Sequence, residues 1–453
     1  MTPTQTVDIQ DFINSRPLSR YQLMVIILCF LVVAADGFDT AAVGFIAPAL
    51  RAQWNVTPAQ LAPLFGAGLF GLMAGAFVFG PLADKVGRKA VLIFATAAFA
   101  VASIASATAT TIEGLTIWRF ITGIGLGGAM PAAITMTSEY CPERNRSLLV
   151  MVMFCGFTMG GALGGLSAAA LLQDFGWQGV LILGGVLPLI LAVVLIFMLP
   201  ESARYLVLKG GKDEQVSTIL RRVDPAASLE GARYVGVRKV EGSPVRQLFL
   251  PGLGAGTLLL WLTFFMSLLV FYLLTSWLPT LLNTAGFNPK SASMIALMLP
   301  IGSTVGAILI GLLMDRMNPH NVLFGSYAVA AGFILLLGLS TASPALLVLA
   351  VFGAGLGTGG SQIGINALAA AFYPTASRAT GVSWANAVGR TGSVLGSMVG
   401  GALLGMGWPL STVFAVAALP ALLAGVAIFA KGRLRVAPVL SQSAVLPATG
   451  EAL

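Results

Sequence analysis

The sequence predicts an all-α membrane protein of twelve transmembrane helices in two six-helix bundles. Three observations lead to this prediction: a surplus of apolar residues, an alternation of positive charge between the breaks in the apolar runs, and an internal repeat. Of the 453 residues, 57% are hydrophobic and only 9% are charged, whereas about a quarter of the residues in a soluble domain are charged. A soluble fold could not bury this surplus, so we expect it to face a lipid bilayer.

The apolar residues fall into twelve runs, each long enough to cross a bilayer. A span needs about twenty mostly apolar residues, and only a helix satisfies the backbone of such a segment in lipid. The runs lie near 21–50, 58–82, 90–110, 115–140, 147–171, 178–199, 254–281, 291–314, 321–340, 344–371, 380–406 and 409–430. The predicted organisation is a cytoplasmic segment 1–20, a bundle 21–200, a cytoplasmic linker 201–252, a second bundle 253–430 and a cytoplasmic tail 431–453.

The positive residues are divided unequally between the two sides of the predicted membrane. Of the 25 Lys and Arg residues, 21 lie on the side of both termini, and only Arg51 and Lys290 lie on the other. Because positive loops stay in the cytoplasm, the pattern predicts a bacterial inner-membrane protein with both termini inside. It also argues against a nucleic-acid-binding face, despite the net charge of +8. The polar start and the absence of a small-residue cleavage site predict a retained first span rather than a signal peptide.

The two halves repeat one another. Glycines of the fourth run recur 232 residues later in the tenth run: Gly123, Gly125, Gly127 and Gly128 return as Gly355, Gly357, Gly359 and Gly360. Pro142 and Arg146 recur as Pro374 and Arg378 at the same offset. A constant offset over several elements predicts a parallel repeat of two bundles, with a binding site near the midplane where they meet.

The first span contains two acidic residues, Asp36 and Asp39. They are one helical turn apart, so we expect them to share a face and to point into the bundle, because an acid facing lipid is costly. Two nearby carboxylates repel, which favours a proton on at least one of them. The pair therefore predicts proton coupling, without indicating which aspartate carries the proton. The alternative is that the stretch lies near the outer surface and the acids are solvated.

Two arginines lie inside predicted spans, Arg119 in the fourth and Arg390 in the eleventh. The repeat places Val351 and Thr158 at the matching positions, so neither arginine follows from the symmetry. Arginine keeps its charge and needs an anion or water in a span. We expect one or both to bind a substrate carboxylate, or to pair with Asp36 or Asp39 without substrate. For Arg119, snorkelling to the interface is the alternative.

The break between the second and third spans reads Gly-Pro-Leu-Ala-Asp-Lys-Val-Gly-Arg-Lys over 80–89. This motif resembles the loop signature of the major facilitator superfamily, and a weaker copy at 311–316 falls where the second half should carry it. The resemblance implies the major facilitator fold and a cytoplasmic gate. The residues expected in the gate are Asp84, Arg88, Glu139, Arg146, Asp315 and Arg316. For Glu139, a solvated helix end is the alternative.

The sequence Asp36-Gly37-Phe38-Asp39 resembles the first span of the aromatic acid:proton symporter family, as do the segments at 138–144, 200–204, 274–279 and 378–384. The resemblance covers about residues 8–431. It implies uptake by alternating access of an aromatic carboxylate, such as 4-hydroxybenzoate or protocatechuate, together with protons, by a monomer in the lipid bilayer. An aromatic substrate needs apolar walls and a few polar anchors. The candidates are Phe38, Gln362, Asn366, Trp384 and Asn386, besides the two arginines.

Other functions remain open at this point. An exporter with the same fold would carry the same gate motif, and a chemoreceptor-like protein could bind the same acids. An enzyme is disfavoured, because the chain has a single histidine, His320, outside the predicted spans, and three cysteines without metal-ligand spacing. We therefore expect no metal and no cofactor.

Overall fold

The computed structural model describes residues 6–227, 229, 232–235, 245–339, 343–374 and 377–434. The predicted tail is thus described only to 434, and parts of segment 1–20 and of the linker 201–252 lie outside the described residues. The first half begins with strand β1 (Thr6–Asp8) and a short helix α1 (Ile9–Asn14). Six long helices follow: α2 (Arg20–Trp54), α3 (Pro58–Val86), α4 (Arg88–Ser106), α5 (Ile112–Tyr140), α6 (Glu143–Leu171) and α7 (Gly176–Met198).

The linker contains helices α8 (Ala203–Lys209) and α9 (Asp213–Val223), strand β2 (Arg233–Val235) and a 3₁₀ turn over Val245–Phe249. The helices of the second half are α10 (Gly254–Thr284), α11 (Pro289–Ala296), α12 (Met298–Met314), α13 (Pro319–Leu339), α14 (Pro344–Phe372), α15 (Arg378–Gly405) and α16 (Leu410–Arg433). The eighth predicted span is thus two helices, α11 and α12. Pro300 explains the break at Leu297, because it has no N–H to donate to the carbonyl of Ala296.

The prediction of a twelve-helix transmembrane fold is confirmed. Eleven spans of the described chain are long and apolar enough to cross a membrane, with α11 and α12 counted as one. The twelfth, α15, has 28 residues and is less apolar because it carries Arg390 and many small or hydroxyl side chains. An even number of crossings brings α1 and the end of α16 to the same face, here called the terminal face.

Short capping motifs set the ends of the first two spans. Ser19 accepts a hydrogen bond from the backbone of Gln22, whose side chain in turn accepts from the backbone of Ser19, and Thr57 and Gln60 form the same box at the start of α3. Between these helices Asn55 adopts a left-handed conformation with φ of 52°. Asparagine tolerates this conformation, which stops α2 at Trp54.

The internal repeat is visible in how the helices approach one another. A Cβ atom at Gly71 would overlap the backbone carbonyl of Phe120, and one at Gly302 would overlap that of Phe352. The offsets between these partners are the offsets of the sequence repeat. Small residues thus allow α3 to contact α5 closely in the first half, and α12 to contact α14 in the second.

The start of the chain pairs with the linker, a contact that the sequence did not predict. Strand β1 lies parallel to β2, with Val7 opposite Tyr234. Nearby, Arg16 and Asp224 form an ion pair of 2.6 Å. The hydrogen bond from Arg16 lowers the pKa of Asp224 below its ordinary value. The first residues therefore attach the linker to the N-terminal bundle at the terminal face.

The bundles contact each other mainly away from the terminal face. Positions where an added Cβ would meet the other bundle include Gly44 against Thr275 and Gly66 against Met398. Phe65 also makes an edge-to-face contact with Trp277, with ring centroids 4.9 Å apart. Each of these residues lies in the half of its helix that is opposite the terminal face. The two bundles are therefore packed together at that opposite face.

Candidate functional site

The two aspartates of α2 lie where this helix packs closely on α6. A Cβ atom at Gly37 would overlap the carbonyl oxygen of Phe157, and one at Gly160 would overlap that of Ala34. The glycine of the Asp-Gly-Phe-Asp motif is thus required by helix contact. Both aspartates are buried: Asp36 is 0% and Asp39 is 1% exposed. The alternative that these acids are solvated near the surface is therefore wrong.

Asp39 forms a buried ion pair inside the N-terminal bundle. Arg119 donates from Nη1 to Oδ1 over 2.9 Å and from Nη2 to Oδ2 over 2.6 Å. The hydroxyl of Ser103 on α4 donates to the same Oδ1 over 3.1 Å. Arg119 is 3% exposed, so it pairs with Asp39 and does not snorkel. Both carboxylate oxygens of Asp39 thus accept charge-assisted hydrogen bonds.

Asp36 has different neighbours, because it faces the second bundle. Its Oδ1 accepts a hydrogen bond of 3.2 Å from Thr40, and its buried Oδ2 has no hydrogen-bond partner among the described residues. Arg390 on α15 lies within electrostatic range, and its Nη1 is 3.4 Å from the hydroxyl of Tyr272 on α10. The expectation that both acids share one helix face is therefore too simple, since each carboxylate faces a different cation.

Arg390 contacts both bundles. Besides Tyr272 in its own bundle, its Nη2 lies 3.5 Å from Sδ of Met130 on α5. Among the described residues no carboxylate oxygen lies within 4 Å of this guanidinium, since the ion pairs there involve other arginines. A half-buried cation without a close anion, located between two bundles, can bind an incoming carboxylate.

Two cavities lie between the bundles beside these charges. One, of about 400 Å³, is lined by Thr40, Leu64, Arg119, Tyr272 and Ser276 among others. The other, of about 430 Å³, is mainly apolar and is lined by residues that include Thr40, Phe157 and Pro300. Thr40 borders both, and its hydroxyl is the one bonded to Asp36. The aspartate motif is therefore adjacent to space that a small molecule could occupy.

Three of the predicted polar anchors form a connected chain in the second bundle. Ser267 donates to Oε1 of Gln362 over 2.8 Å, and the side chain of Asn366 donates to the carbonyl of Gln362 over 2.7 Å. Asn386 then donates to Oδ1 of Asn366 over 3.1 Å. This chain links α10, α14 and α15. The structure thus brings Gln362, Asn366 and Asn386 together, on the same helices as Tyr272 and Arg390.

Phe38 and Trp384 do not border either cavity. Phe38 is buried inside the N-terminal bundle and contacts Gly184 of α7. Trp384 stacks on Trp261, with ring centroids 5.9 Å apart, and lies six residues before Arg390, or about 9 Å along the helix. Direct substrate contact by either ring therefore has no support from this geometry, because adjacent positions on a helix face different neighbours.

The predicted gate of the first half is an interlinked cluster around Arg88. Its Nη2 is 2.9 Å from Asp84, its Nη1 donates to the carbonyl of Ala83 over 3.1 Å, and its Nε is 3.9 Å from Glu139. Arg88 is buried, with 8% exposure. Of the two partners expected for Glu139, the structure selects Arg88. Arg146 is 3.7 Å from Glu143 instead.

Glu201 completes this cluster and was not among the predicted site residues. Its Oε1 accepts hydrogen bonds from the backbone N–H groups of Arg88 and Lys89, at the start of α4. A carboxylate at a helix N-terminus is favoured by unpaired N–H groups and the helix dipole. The next residue, Ser202, donates its hydroxyl to Glu139. An acid directly after the sixth apolar run was the available signal.

The matching residues of the second half are arranged differently. Asp315 and Arg316 are exposed at the end of α12, and neither forms an ion pair within the described part of the chain. His320 lies 3.4 Å from Nζ of Lys431. The cluster around Arg88 therefore has no counterpart of equal extent among the residues described there.

A family model described as Major Facilitator Superfamily matches residues 29–343 and 260–448. The chain belongs to the major facilitator superfamily. Among its relatives, the 4-hydroxybenzoate transporter PcaK of Pseudomonas aeruginosa is 48% identical over 432 residues, which cover 94% of this chain and 96% of that protein. A gallate transporter of Pseudomonas putida is 44% identical and covers 96% of this chain and 98% of its own length.

More distant relatives are also transporters. The 3-(3-hydroxy-phenyl)propionate transporter of Escherichia coli is 38% identical over 91% of this chain and 94% of its own length. The solved structure of a D-xylose-proton symporter has a TM-score of 0.70 at 18% identity and covers 90% of this chain and 97% of its own. That identity establishes the fold alone. The prediction that this superfamily member is not an enzyme is confirmed by its relatives.

Ser103 and Tyr272 also belong to the site geometry but could not be assigned from the sequence. Ser103 is one hydroxyl residue in an apolar run, and nothing in its neighbours indicates that it meets Asp39. Tyr272 lies in a run of aromatic and leucine residues, so its position beside Arg390 required the packing of α10 against α15. Contacts between distant helices carry this information.

Proposed function

We propose that the chain takes up an aromatic carboxylate, such as 4-hydroxybenzoate or protocatechuate, together with one or more protons. Arg390 carries the proposal: a cation between the two bundles, without a carboxylate of the described chain within 4 Å. An anionic substrate would supply the missing charge. The names of the relatives support the substrate class, since several are transporters of hydroxylated aromatic acids.

Arg390 is a better candidate for the substrate carboxylate than Arg119. Both guanidinium groups are near the cavities, but that of Arg119 is already held at two points by Asp39. Arg390 has only the hydroxyl of Tyr272 and the sulfur of Met130 at hydrogen-bond distance. A carboxylate that binds Arg390 therefore need not displace an existing ion pair.

The aromatic ring would lie against the largely apolar walls of the neighbouring cavity, which includes Phe157 and Pro300. Hydroxyl groups on the ring could be recognised by Ser276 and Thr40, which border the second cavity. The Gln362, Asn366 and Asn386 chain would hold α14 and α15 in register around this site. These polar groups are few, as expected for a site that binds a flat acid.

Transport would proceed by alternating access in a bacterial inner membrane, with the terminal face in the cytoplasm. That orientation follows from the excess of Lys and Arg on this side. The close contacts between the bundles at the opposite face then correspond to a state closed to the outside. The cluster of Asp84, Arg88 and Glu139 would stabilise the opposite, inward-closed state by holding helix ends at the cytoplasmic side. A single chain contains the whole path, so a monomer suffices.

The proposal is tested by uptake into cells that express the chain. Labelled 4-hydroxybenzoate is supplied alone and with an excess of unlabelled benzoate, protocatechuate, gallate or vanillate. We expect uptake that Arg390→Ala abolishes and that Lys85→Ala, a change at an exposed residue, leaves intact. Competition by the panel identifies the preferred ring. If correctly inserted protein takes up none of these acids, the substrate class is wrong, and an exporter of the same fold should be tested next.

A further inference from the structure

The two aspartates of the Asp-Gly-Phe-Asp motif have the same chemistry but different surroundings. Asp39 accepts three hydrogen bonds, two from Arg119 and one from Ser103. Asp36 accepts one, from Thr40, and its second oxygen is buried without a partner in the described chain. This asymmetry distinguishes two residues that the sequence treats alike.

The surroundings of Asp39 stabilise its charged form. A bidentate guanidinium compensates a buried carboxylate, and the hydroxyl of Ser103 adds a third donor. A proton on Asp39 would remove an acceptor from Arg119 and leave a buried cation uncompensated, which is costly. Moreover, both partners lie in the N-terminal bundle, on α2 and α5. A rocking motion of one bundle against the other would leave this pair intact.

The surroundings of Asp36 favour a neutral acid whenever Arg390 is engaged elsewhere. A buried carboxylate oxygen without a donor pays its desolvation cost uncompensated, whereas a protonated one does not carry the charge. The charged and titratable groups that face Asp36 are Arg390 on α15, Tyr272 on α10 and Asp39 on its own helix. Only Arg390 is cationic, and it belongs to the other bundle.

We propose that Asp36 carries the transported proton, whereas Asp39 stays ionised and is held by Arg119, with Ser103 as a positioning residue. The inference rests on the proposed function and assigns its two acids separate roles. A proton from outside binds the carboxylate of Asp36, and Arg390 loses its nearby anion. The substrate carboxylate then pairs with Arg390. After the bundles rock, substrate and proton leave toward the cytoplasm, and the charge of Asp36 again faces Arg390.

The test uses two matched variants that each remove one hydroxyl: Thr40→Val, which acts on Asp36, and Ser103→Ala, which acts on Asp39. Infrared difference spectra of the purified full chain, recorded between acidic and alkaline pH without substrate, detect the C=O stretch of a protonated carboxylic acid. Asp36→Asn and Asp39→Asn are measured alongside. Because no substrate is added, the result does not depend on the substrate class, so failure of the uptake experiment remains a separate outcome.

We expect the wild-type chain to show a pH-dependent C=O band that Thr40→Val shifts and Asp36→Asn removes, while Ser103→Ala leaves its frequency unchanged and Asp39→Asn retains it. A band that follows Asp39 and Ser103 instead, or no band from either aspartate, would overturn the inference. If Asp39→Asn does not fold, the two hydroxyl variants still decide, because they keep both carboxylates. In transport, Asp36→Asn should lose about tenfold or more in proton-driven accumulation while exchange of labelled for unlabelled substrate stays measurable.

Discussion

Arg119 binds both carboxylate oxygens of Asp39, at 2.9 and 2.6 Å, and thereby connects α5 to α2 inside the N-terminal bundle. Both side chains are almost completely buried. The pair occupies the position at which an isolated charge of either sign would be least tolerated. It therefore separates a fixed charge pair within one bundle from Arg390, which lies between the two.

Removing one member of this pair should destabilise the protein more than removing both. Arg119→Gln leaves Asp39 buried without its cation, and such a loss costs about 3–5 kcal/mol. The variant Asp39→Asn with Arg119→Gln leaves neither charge and should recover part of the loss. Thermal unfolding of the detergent-solubilised wild type, both single variants and the double variant measures this. Equal loss in the single and double variants would mean that the two charges do not compensate each other.

Gly37→Ala should inactivate the carrier through helix packing. The new Cβ would overlap the carbonyl of Phe157 and push α2 from α6, at a cost of about 1–3 kcal/mol. Gly325→Ala is the matched control, because no atom lies within 4 Å of the Cβ position there, and alanine is the better helix former. We expect lower thermal stability and uptake for the first variant only. If Gly37→Ala behaves like the control, the contact between α2 and α6 is not needed.

Arg390→Lys should retain part of the uptake that Arg390→Ala loses. Lysine keeps the positive charge but not the planar, two-point geometry that matches a carboxylate. We therefore expect a weaker apparent affinity for 4-hydroxybenzoate with Lys and no measurable saturable uptake with Ala. Initial uptake rates over a substrate series, normalised to the amount of inserted protein, measure both. Normal affinity in Arg390→Ala would remove this residue from the substrate site.

Arg88→Ala should slow transport, whereas Lys85→Ala in the same loop should not. Arg88 contacts Asp84, Glu139 and the carbonyl of Ala83, while Lys85 is exposed. One charge-assisted hydrogen bond is worth roughly 1.5–3 kcal/mol, so losing one could slow a conformational step by about tenfold or more, which corresponds to ~1.4 kcal/mol. Exchange and net uptake are compared in both variants. Similar rates would leave this loop only a topological role.

The docking of the linker should weaken in acid. Because the hydrogen bond from Arg16 lowers the pKa of Asp224, the ion pair contributes docking free energy above the ordinary range of an aspartate. The contribution is lost as the pH falls through the lowered pKa. The pair is partly exposed, so it is worth about 0–1 kcal/mol. Hydrogen exchange of β1 and β2 should accelerate in acid for the wild type, and Asp224→Asn should show this faster exchange at every pH. An unchanged profile in the variant would assign the docking to the strand pairing alone.

The fold was largely predictable because a bilayer leaves few choices. The apolar runs, the distribution of Lys and Arg and the repeated glycines each reflect a constraint that acts along the chain. The break at Leu297 and the pairing of β1 with β2 were missed, the first because the run stays apolar through Pro300. The strand pairing joins segments more than 220 residues apart, and no local pattern encodes such a contact.

The site was predictable by residue type and less so by partner. A charged side chain in a span is unusual enough to be noticed, so the Asp36, Asp39, Arg119 and Arg390 set could be selected from the sequence. Which acid meets which cation depends on helix rotation and packing. Ser103, Tyr272 and Glu201 were missed for the same reason, and Phe38 and Trp384 were selected because an aromatic residue reads the same whether it faces a cavity, a neighbouring helix or lipid.

The central claim, proton-coupled uptake of an aromatic acid, is tested most directly with the purified chain in proteoliposomes. Labelled 4-hydroxybenzoate is added outside under an imposed pH gradient, alkaline inside, with and without a protonophore. We control for passive entry of the acid with liposomes that lack protein. Protein-dependent accumulation that requires the gradient and collapses with the protonophore is the predicted result. Uptake that only equilibrates the substrate, whatever the gradient, or no uptake at all, would contradict the account.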